Sequence, residues 1–140
     1  MYKLIDLKNK FQSFWDAHSM VLHQFYGAIE EYIVIPDKNY FSVNTEFTGS
    51  SVSGKSITHS FRVSIADKMS LDYPETEHEA VSNCIEIAQD FLAFMNKEDI
   101  TYSGANMQPF REDMGDICAG VVLAVNIILP MGLNECAIPN

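Results

Sequence analysis

The chain has 140 residues, 47% hydrophobic and 20% charged, and its 19 acidic against nine basic residues give a formal net charge of −10. This composition excludes a disordered chain and is typical of one globular domain spanning residues 1–140. The shortage of Lys and Arg argues against a protein that grips DNA phosphates, because those side chains supply most of that affinity.

The N-terminal residues show no basic region followed by an apolar run, so we expect no export signal and a protein made in the cytoplasm. The longest uncharged apolar run, residues 117–133, alternates and contains Pro130, so we expect no membrane span. Cys84, Cys118 and Cys136 have spacings that fit no zinc site, and we expect reduced thiols.

In chain order, the first predicted element is a helix over residues 3–18, where apolar side chains recur at spacings of three and four. Its stripe includes Phe11 and Trp15, which suit a core or, in an assembling protein, a subunit contact. Residues 27–36 are apolar and β-branched and predict a strand. Residues 40–47 alternate and predict a second strand, paired with the first as a hairpin.

Residues 48–56 are rich in Gly and Ser and predict a flexible polar loop. Alternation over residues 57–65 predicts a third strand. Residues 76–96 predict the clearest helix, because they carry a continuous apolar stripe. The stripe consists of Val81, Cys84, Ile85, Ala88, Phe91, Leu92 and Met95.

After this helix, residues 100–110 predict a weak strand and residues 111–116 a turn. Residues 117–129 predict the strongest strand, which is apolar on both faces and therefore expected to be central and covered on both sides. Residues 130–140 predict an irregular C-terminal arm. The order α-β-β-β-α-β-β predicts an α+β fold with a mainly antiparallel sheet of about five strands and two helices packed on one face.

One segment matches a phosphate-binding pattern, in which Gly49 and Gly54 are separated by four residues and followed by Lys55 and Ser56. In that motif a helix begins at the lysine, and its amides and dipole bind the anion. The residues after Lys55 alternate with a period of two and favour a strand. A small nucleotide-binding protein is therefore the alternative function rather than the leading one.

Other patterns of reactive residues indicate no enzyme. The four histidines are dispersed and have no Cys or carboxylate at ligand spacing, so we expect no metal and no cofactor. No serine or cysteine stands in a recognisable nucleophile context. The acidic pairs Glu30–Glu31 and Glu112–Asp113 suit solvated turns or faces better than a pair of catalytic acids.

Several segments, taken in this order, resemble the tail-terminator and tail-completion proteins of long-tailed phages. They are the strand of residues 59–67, the acidic helix of residues 77–95, the Pro109–Phe110 pair, residues 113–120 leading into the apolar strand, and the closing residues 136–139. The resemblance spans nearly the whole chain and rests on the order of the elements and the general composition of these segments, not on a diagnostic motif.

The resemblance implies a non-catalytic virion protein that forms a ring, six-fold or a multiple of six, at the tail or neck. Such a ring caps the tail tube or joins it to the head, contacts other tail or neck proteins, and lets DNA pass without binding it. Expected subunit contacts are Phe11, Trp15, Ser51, Val52, Lys55, Leu133 and Ile138. Expected lumen residues are Glu30, Glu31, Glu112 and Asp113.

Overall fold

A computed structural model describes residues 3–33, 39–69, 75–113 and 117–131, with the backbone alone described at residues 112 and 113. The elements, in chain order, are α1 (Leu4–Ala17), β1 (His23–Tyr26), α2 (Ile29–Ile33), β2 (Ser42–Ser53), β3 (Ser56–Lys68), α3 (Glu75–Lys97), β4 (Tyr102–Asp113) and β5 (Ile117–Pro130). None of the helices in these ranges is long and apolar enough to cross a membrane.

The five strands form one mixed sheet in the order β1-β2-β3-β5-β4. The β2–β3, β3–β5 and β4–β5 pairs are antiparallel, and the β1–β2 pair is parallel. The predicted α+β class with a mainly antiparallel sheet is confirmed.

The main core lies between the sheet and the two long helices, α1 and α3, which we call the helical layer. Leu7, Phe11 and Trp15 recur every four residues of α1 and are completely buried. The ring of Phe91, on α3, stacks on Trp15 with centroids 5.0 Å apart and meets Phe11 edge-on at 5.0 Å. The two predicted helices on one face are thereby confirmed, but the predicted order α-β-β-β-α-β-β is wrong in lacking α2. Ile87 joins the predicted α3 stripe in this core.

A second, smaller core lies on the opposite face of the sheet, under the five-residue helix α2. Tyr32 of α2 is completely buried against Ala66 and Cys118, and its hydroxyl donates a hydrogen bond to the Ser42 hydroxyl. The Glu46 carboxylate accepts a hydrogen bond from the Ile29 N–H at 2.9 Å, which satisfies one amide at the start of this helix.

The predicted strand over residues 27–36 is wrong where the structure describes it. The strand is β1, four residues earlier, and Ile29–Ile33 is helical. Residues 34–36 lie outside the described residues. The helix forms because one side of it buries Tyr32 while Glu30 and Glu31 stay exposed. The predicted hairpin is also wrong, because β1 runs parallel to β2 with α2 as the connection.

The predicted flexible loop over residues 48–56 is wrong as well. β2 continues to Ser53 and β3 begins at Ser56, so the connection is a two-residue turn of Gly54 and Lys55. Gly54 has φ +59°, a conformation that two-residue hairpin turns require and glycine adopts without strain. The sequence did not predict this part of β2, because its Ser and Gly residues show no alternation of apolar and polar side chains.

Two further predictions need correction at the C-terminal strands. Residues 111–113 belong to β4 rather than to a turn, and they pair with the first residues of β5. β5 has a strand on each side, but its second face is buried only near its start, at Cys118 and Gly120, whereas Ala124 is exposed. Beyond residue 131, the predicted arm lies outside the described residues.

We predict that Gly120→Ala strongly destabilises the fold. A Cβ atom at position 120 would lie 1.8 Å from the Ile65 carbonyl oxygen, and the backbone of β3 cannot move away without disturbing the central ladder. The expected loss in the free energy of unfolding is about 3 kcal/mol or more. Urea denaturation measures it, with Ala124→Ser on the exposed side of the same strand as the control. Equal stability of the two variants would contradict the close approach.

Candidate interaction surface

The outer half of β2 has no strand beside it within the described residues. β1 pairs only with residues 42–45 of β2, and the last bond in this direction runs from the Gly27 N–H to the Thr45 oxygen at 3.0 Å. Residues 47–53, which we call the open edge, continue past this point along β3. Four residues of β1 are too few to cover a strand of twelve.

The backbone of the open edge directs donors and acceptors outward. The Met131 N–H donates to the Lys55 oxygen at 2.6 Å, so in the alternating antiparallel pattern the backbone groups of Ile57 point toward β5. Val52, the cross-strand partner of Ile57, therefore points its N–H and C=O away from β3. The same alternation applies two residues earlier, at Ser50.

Sheet edges are usually protected by charges, prolines or bulges, and the open edge is poorly protected. Its sequence, Phe-Thr-Gly-Ser-Ser-Val-Ser, has no charge and no proline, and the Val52 side chain is 60% exposed. A bulge lies only at its inner end, between Phe47 and Gly49. Residues 49–53 therefore present a regular, uncharged strand to solvent.

The other edge of the sheet, β4, is protected. The Ile128 N–H donates to the Thr101 oxygen at 2.9 Å, which shows that even-numbered residues of β5 direct their backbone groups toward β4. Pro109 pairs with the odd-numbered Val121, so its backbone nitrogen points outward. A proline at that position removes a donor from the edge. The ladder is also interrupted between Ser103 and Asn106, where Gly104 has φ +64°. The two sheet edges therefore differ in their capacity to accept another strand.

The sheet face opposite the helical layer is uncovered beyond α2. We call this half the open face, and its side chains are exposed or half-buried. It consists of Thr58, Ser60 and Arg62 of β3, Val122, Ala124, Asn126 and Ile128 of β5, and Ser103, Asn106 and Gln108 of β4. None of these ten residues is acidic, although Glu46 of β2, the cross-strand partner of Arg62, borders them on the same face. Depletion of charge is typical of the centre of a protein interface.

The helical layer has the opposite character. Its solvent side carries the exposed carboxylates Asp16, Glu75, Glu79, Glu86 and Asp90. One of them, Asp90, meets the ring of His18 at 2.8 Å and ties the end of α1 to α3. The subunit thus presents an acidic helical layer on one side, and on the other the open face next to the acidic α2 end with Glu30, Glu31 and Glu46.

A cavity of about 190 Å³ lies where α2 meets the open face. It is lined by Ile29, Tyr32, Ile33, Arg62, Ser64, Phe110 and Val122. Its walls are mainly apolar, and Arg62 is the charged side chain among the lining residues. Such a recess can accept one apolar side chain of a partner protein.

A Ser–His pair lies across the β2–β3 ladder, with the Ser50 hydroxyl 2.6 Å from His59 Nδ1. Burial lowers the pKa of His59, and the Phe47 ring packs beside it at 5.9 Å. The two residues are direct cross-strand partners, so the register of the hairpin accounts for their contact. In the described part of the chain, no group of three or more His, Cys, Asp or Glu residues could hold a metal ion.

The structure separates the predicted contact residues into three groups. Ser51, Val52 and Lys55 are exposed at the end of the hairpin. Phe11 and Trp15 are completely buried in the main core, so the prediction that they are subunit contacts is corrected. Leu133 and Ile138 lie outside the described residues.

The predicted lumen residues share one end of the sheet. Glu30 and Glu31 are exposed on α2. Glu112 and Asp113 lie at the end of β4, paired with Cys118 and Ile117, and only their backbone is described. Glu46, which the sequence did not single out, belongs to the same acidic region through its bond to α2.

The phosphate-binding pattern lies on the hairpin. A strand rather than a helix begins at Ser56, directly after Lys55, so the helix N-terminus that binds phosphate in the motif has no counterpart at this position. Gly49 lies within β2, and Gly54 forms the turn.

Sequence reasoning missed the open edge, the open face and the outward nitrogen of Pro109. One signal was available, because residues 47–54 and 117–130 carry no charged residue. No protein-family model matches the chain, and no curated protein matches it significantly in sequence.

We predict that stability falls as the pH drops below about 6.5, the ordinary pKa of histidine, partly because of His59. Above this pH both states are neutral at His59. Below it, the unfolded state takes up a proton first, because burial lowers the folded-state pKa. His59→Gln should lose less stability than the parent between about pH 7.5 and pH 5.5, as measured by urea denaturation.

Asp67 acts in the opposite direction, because burial raises its pKa, but it is present in both proteins and its effect cancels in the comparison. An identical pH dependence of the parent and His59→Gln would show that His59 is protonated equally well in the folded state.

Proposed function

We propose that this chain is a structural subunit of a tailed-phage particle that forms a closed ring at the end of the tail tube or at the neck. The observation that carries the proposal is the pair of unlike surfaces on opposite sides of one subunit, the acidic helical layer and the carboxylate-free open face. The resemblance in element order to tail-terminator and tail-completion proteins supplies the setting.

A closed ring needs a head-to-tail contact, in which one surface of a subunit meets a different surface of the next. Arg62 is exposed on the open face, and the helical layer carries exposed carboxylates such as Glu86 and Asp90. These surfaces are complementary in charge. Charge complementarity favours the unlike contact over contacts between two acidic surfaces, which repel each other.

The acidic end of the subunit suits a conduit for DNA. Glu30 and Glu31 are exposed on α2, and Glu46 caps the same helix. Carboxylates at a lumen repel DNA phosphates, so DNA can slide without being held. Other tail or neck proteins are the further partners, and the cavity beside Arg62 offers them an apolar recess.

The test of this function is a protein inventory of purified phage particles, combined with electron microscopy of the purified chain. The proposal expects the chain in intact particles at a copy number consistent with a ring, and ring-shaped images of the chain alone or with tail tubes. A chain that is absent from particles and forms no rings on tail tubes would refute the proposal.

We predict that Arg62→Glu weakens ring assembly by about tenfold or more, because it places a carboxylate opposite an acidic surface. Assembly on tail tubes is counted in electron micrographs. Lys68→Glu, exposed at the end of β3 and outside both the open face and the helical layer, changes the net charge by the same amount and should assemble like the parent. Equal loss in both variants would indicate a general charge effect and would contradict the role of the open face.

A further inference from the structure

We infer that the open edge of β2 pairs antiparallel with the open edge of a second copy of this chain, about a two-fold axis at Ser50. This contact is separate from the head-to-tail contact of the proposed ring, and it does not depend on the virion role. It extends the five-stranded sheet of one copy into that of the other.

The first argument is the unused hydrogen-bonding capacity of the open edge. Ser50 and Val52 both direct their backbone N–H and C=O outward, two residues apart, as a paired strand requires. The strand is already rigid, because β3 holds it in register on one side. Adding a strand to it therefore costs little conformational entropy.

The second argument concerns which strand can pair there. β4 is a poor partner, because Pro109 lacks the outward donor and the ladder is interrupted near Gly104. A strand running parallel to β2 would place its own body on the side where β1 already lies. An antiparallel copy centred on Ser50 instead places its body beyond the hairpin turn, where β1 leaves space.

The third argument is charge. With Ser50 opposite its own equivalent, residue 53 lies opposite residue 47 and Gly54 opposite Glu46 of the second copy, so Lys55 of the turn lies one residue beyond the position opposite Glu46. The two-fold axis repeats this arrangement at the other end of the contact. Residues 47–53 themselves carry no charge, so the strand contact itself brings no like charges together.

The consequence for assembly is symmetry. If the chain also forms the proposed ring, this contact joins two rings face to face, and the number of copies is even. If the chain forms no ring, the contact produces a simple dimer. The proposed function and this inference therefore fail separately.

Disulfide cross-linking tests the position of the contact. Ser50→Cys, in the full chain with Cys136→Ser as background, should form a cross-linked dimer on mild oxidation, because equivalent residues in such a pair lie within disulfide range. Ser103→Cys, exposed at the protected edge, is the matched control and should stay monomeric on a denaturing gel. No cross-link from Ser50→Cys, or an equal yield from Ser103→Cys, would overturn the inference.

Removal of the outward donor tests its chemistry. Val52→Pro deletes one N–H per copy on the open edge and leaves the bonds to β3 in place. Native mass spectrometry should show dimerisation weakened by roughly ten- to a hundredfold, since the symmetric contact loses two hydrogen bonds. Val52→Thr keeps the donor and should dimerise like the parent, and thermal melting checks that both variants are folded.

A Val52→Pro variant that is folded and dimerises as tightly as Val52→Thr would overturn the edge pairing. A parent that stays monomeric over the whole concentration range would overturn it as well. A chain that is found as rings in phage particles but gives no Ser50→Cys cross-link would retain the proposed function and lose only this contact.

Discussion

The ladder between β3 and β5 is the interaction on which the rest of the structure depends. All 13 residues of β3 pair with β5, from Ser56 at the hairpin turn to Lys68. Gly120 lets the two backbones approach where a side chain would collide with Ile65. One face of this pair carries the main core under α1 and α3, and the other carries α2 at one end and the open face at the other.

The length of this ladder determines which surfaces stay uncovered. β5 supports β3 as far as the turn, so the hairpin is a rigid strand pair rather than a loop. β1, with four residues, covers only the inner part of β2. The imbalance leaves residues 47–53 with outward backbone groups on a strand that cannot relax. The proposed pairing of two copies follows from that imbalance, whereas the proposed ring rests on the unlike faces of the subunit.

Much of this fold is predictable from the sequence, because its long elements bury one side against a single core. The stripe of Leu7, Phe11 and Trp15 predicts α1, and the alternation of residues 57–65 predicts β3. The candidate surfaces were harder to predict. Residues 48–53 are mostly Ser, Thr and Gly, so the two faces of this strand do not differ in polarity and the alternation typical of a strand is missing. Whether an edge residue such as Val52 or Pro109 points its backbone groups outward depends on the register with the neighbouring strand. Local sequence does not show that register.

The central claim is that the open edge is a working association edge, and residue-resolved amide hydrogen exchange over a range of protein concentrations tests it most directly. The N–H of Ser51 points toward β3 and should exchange slowly at every concentration. The N–H groups of Ser50 and Val52 point outward, and their exchange should slow as the concentration rises and copies pair. Fast exchange at Ser50 and Val52 at all concentrations, beside a slow Ser51, would contradict the claim.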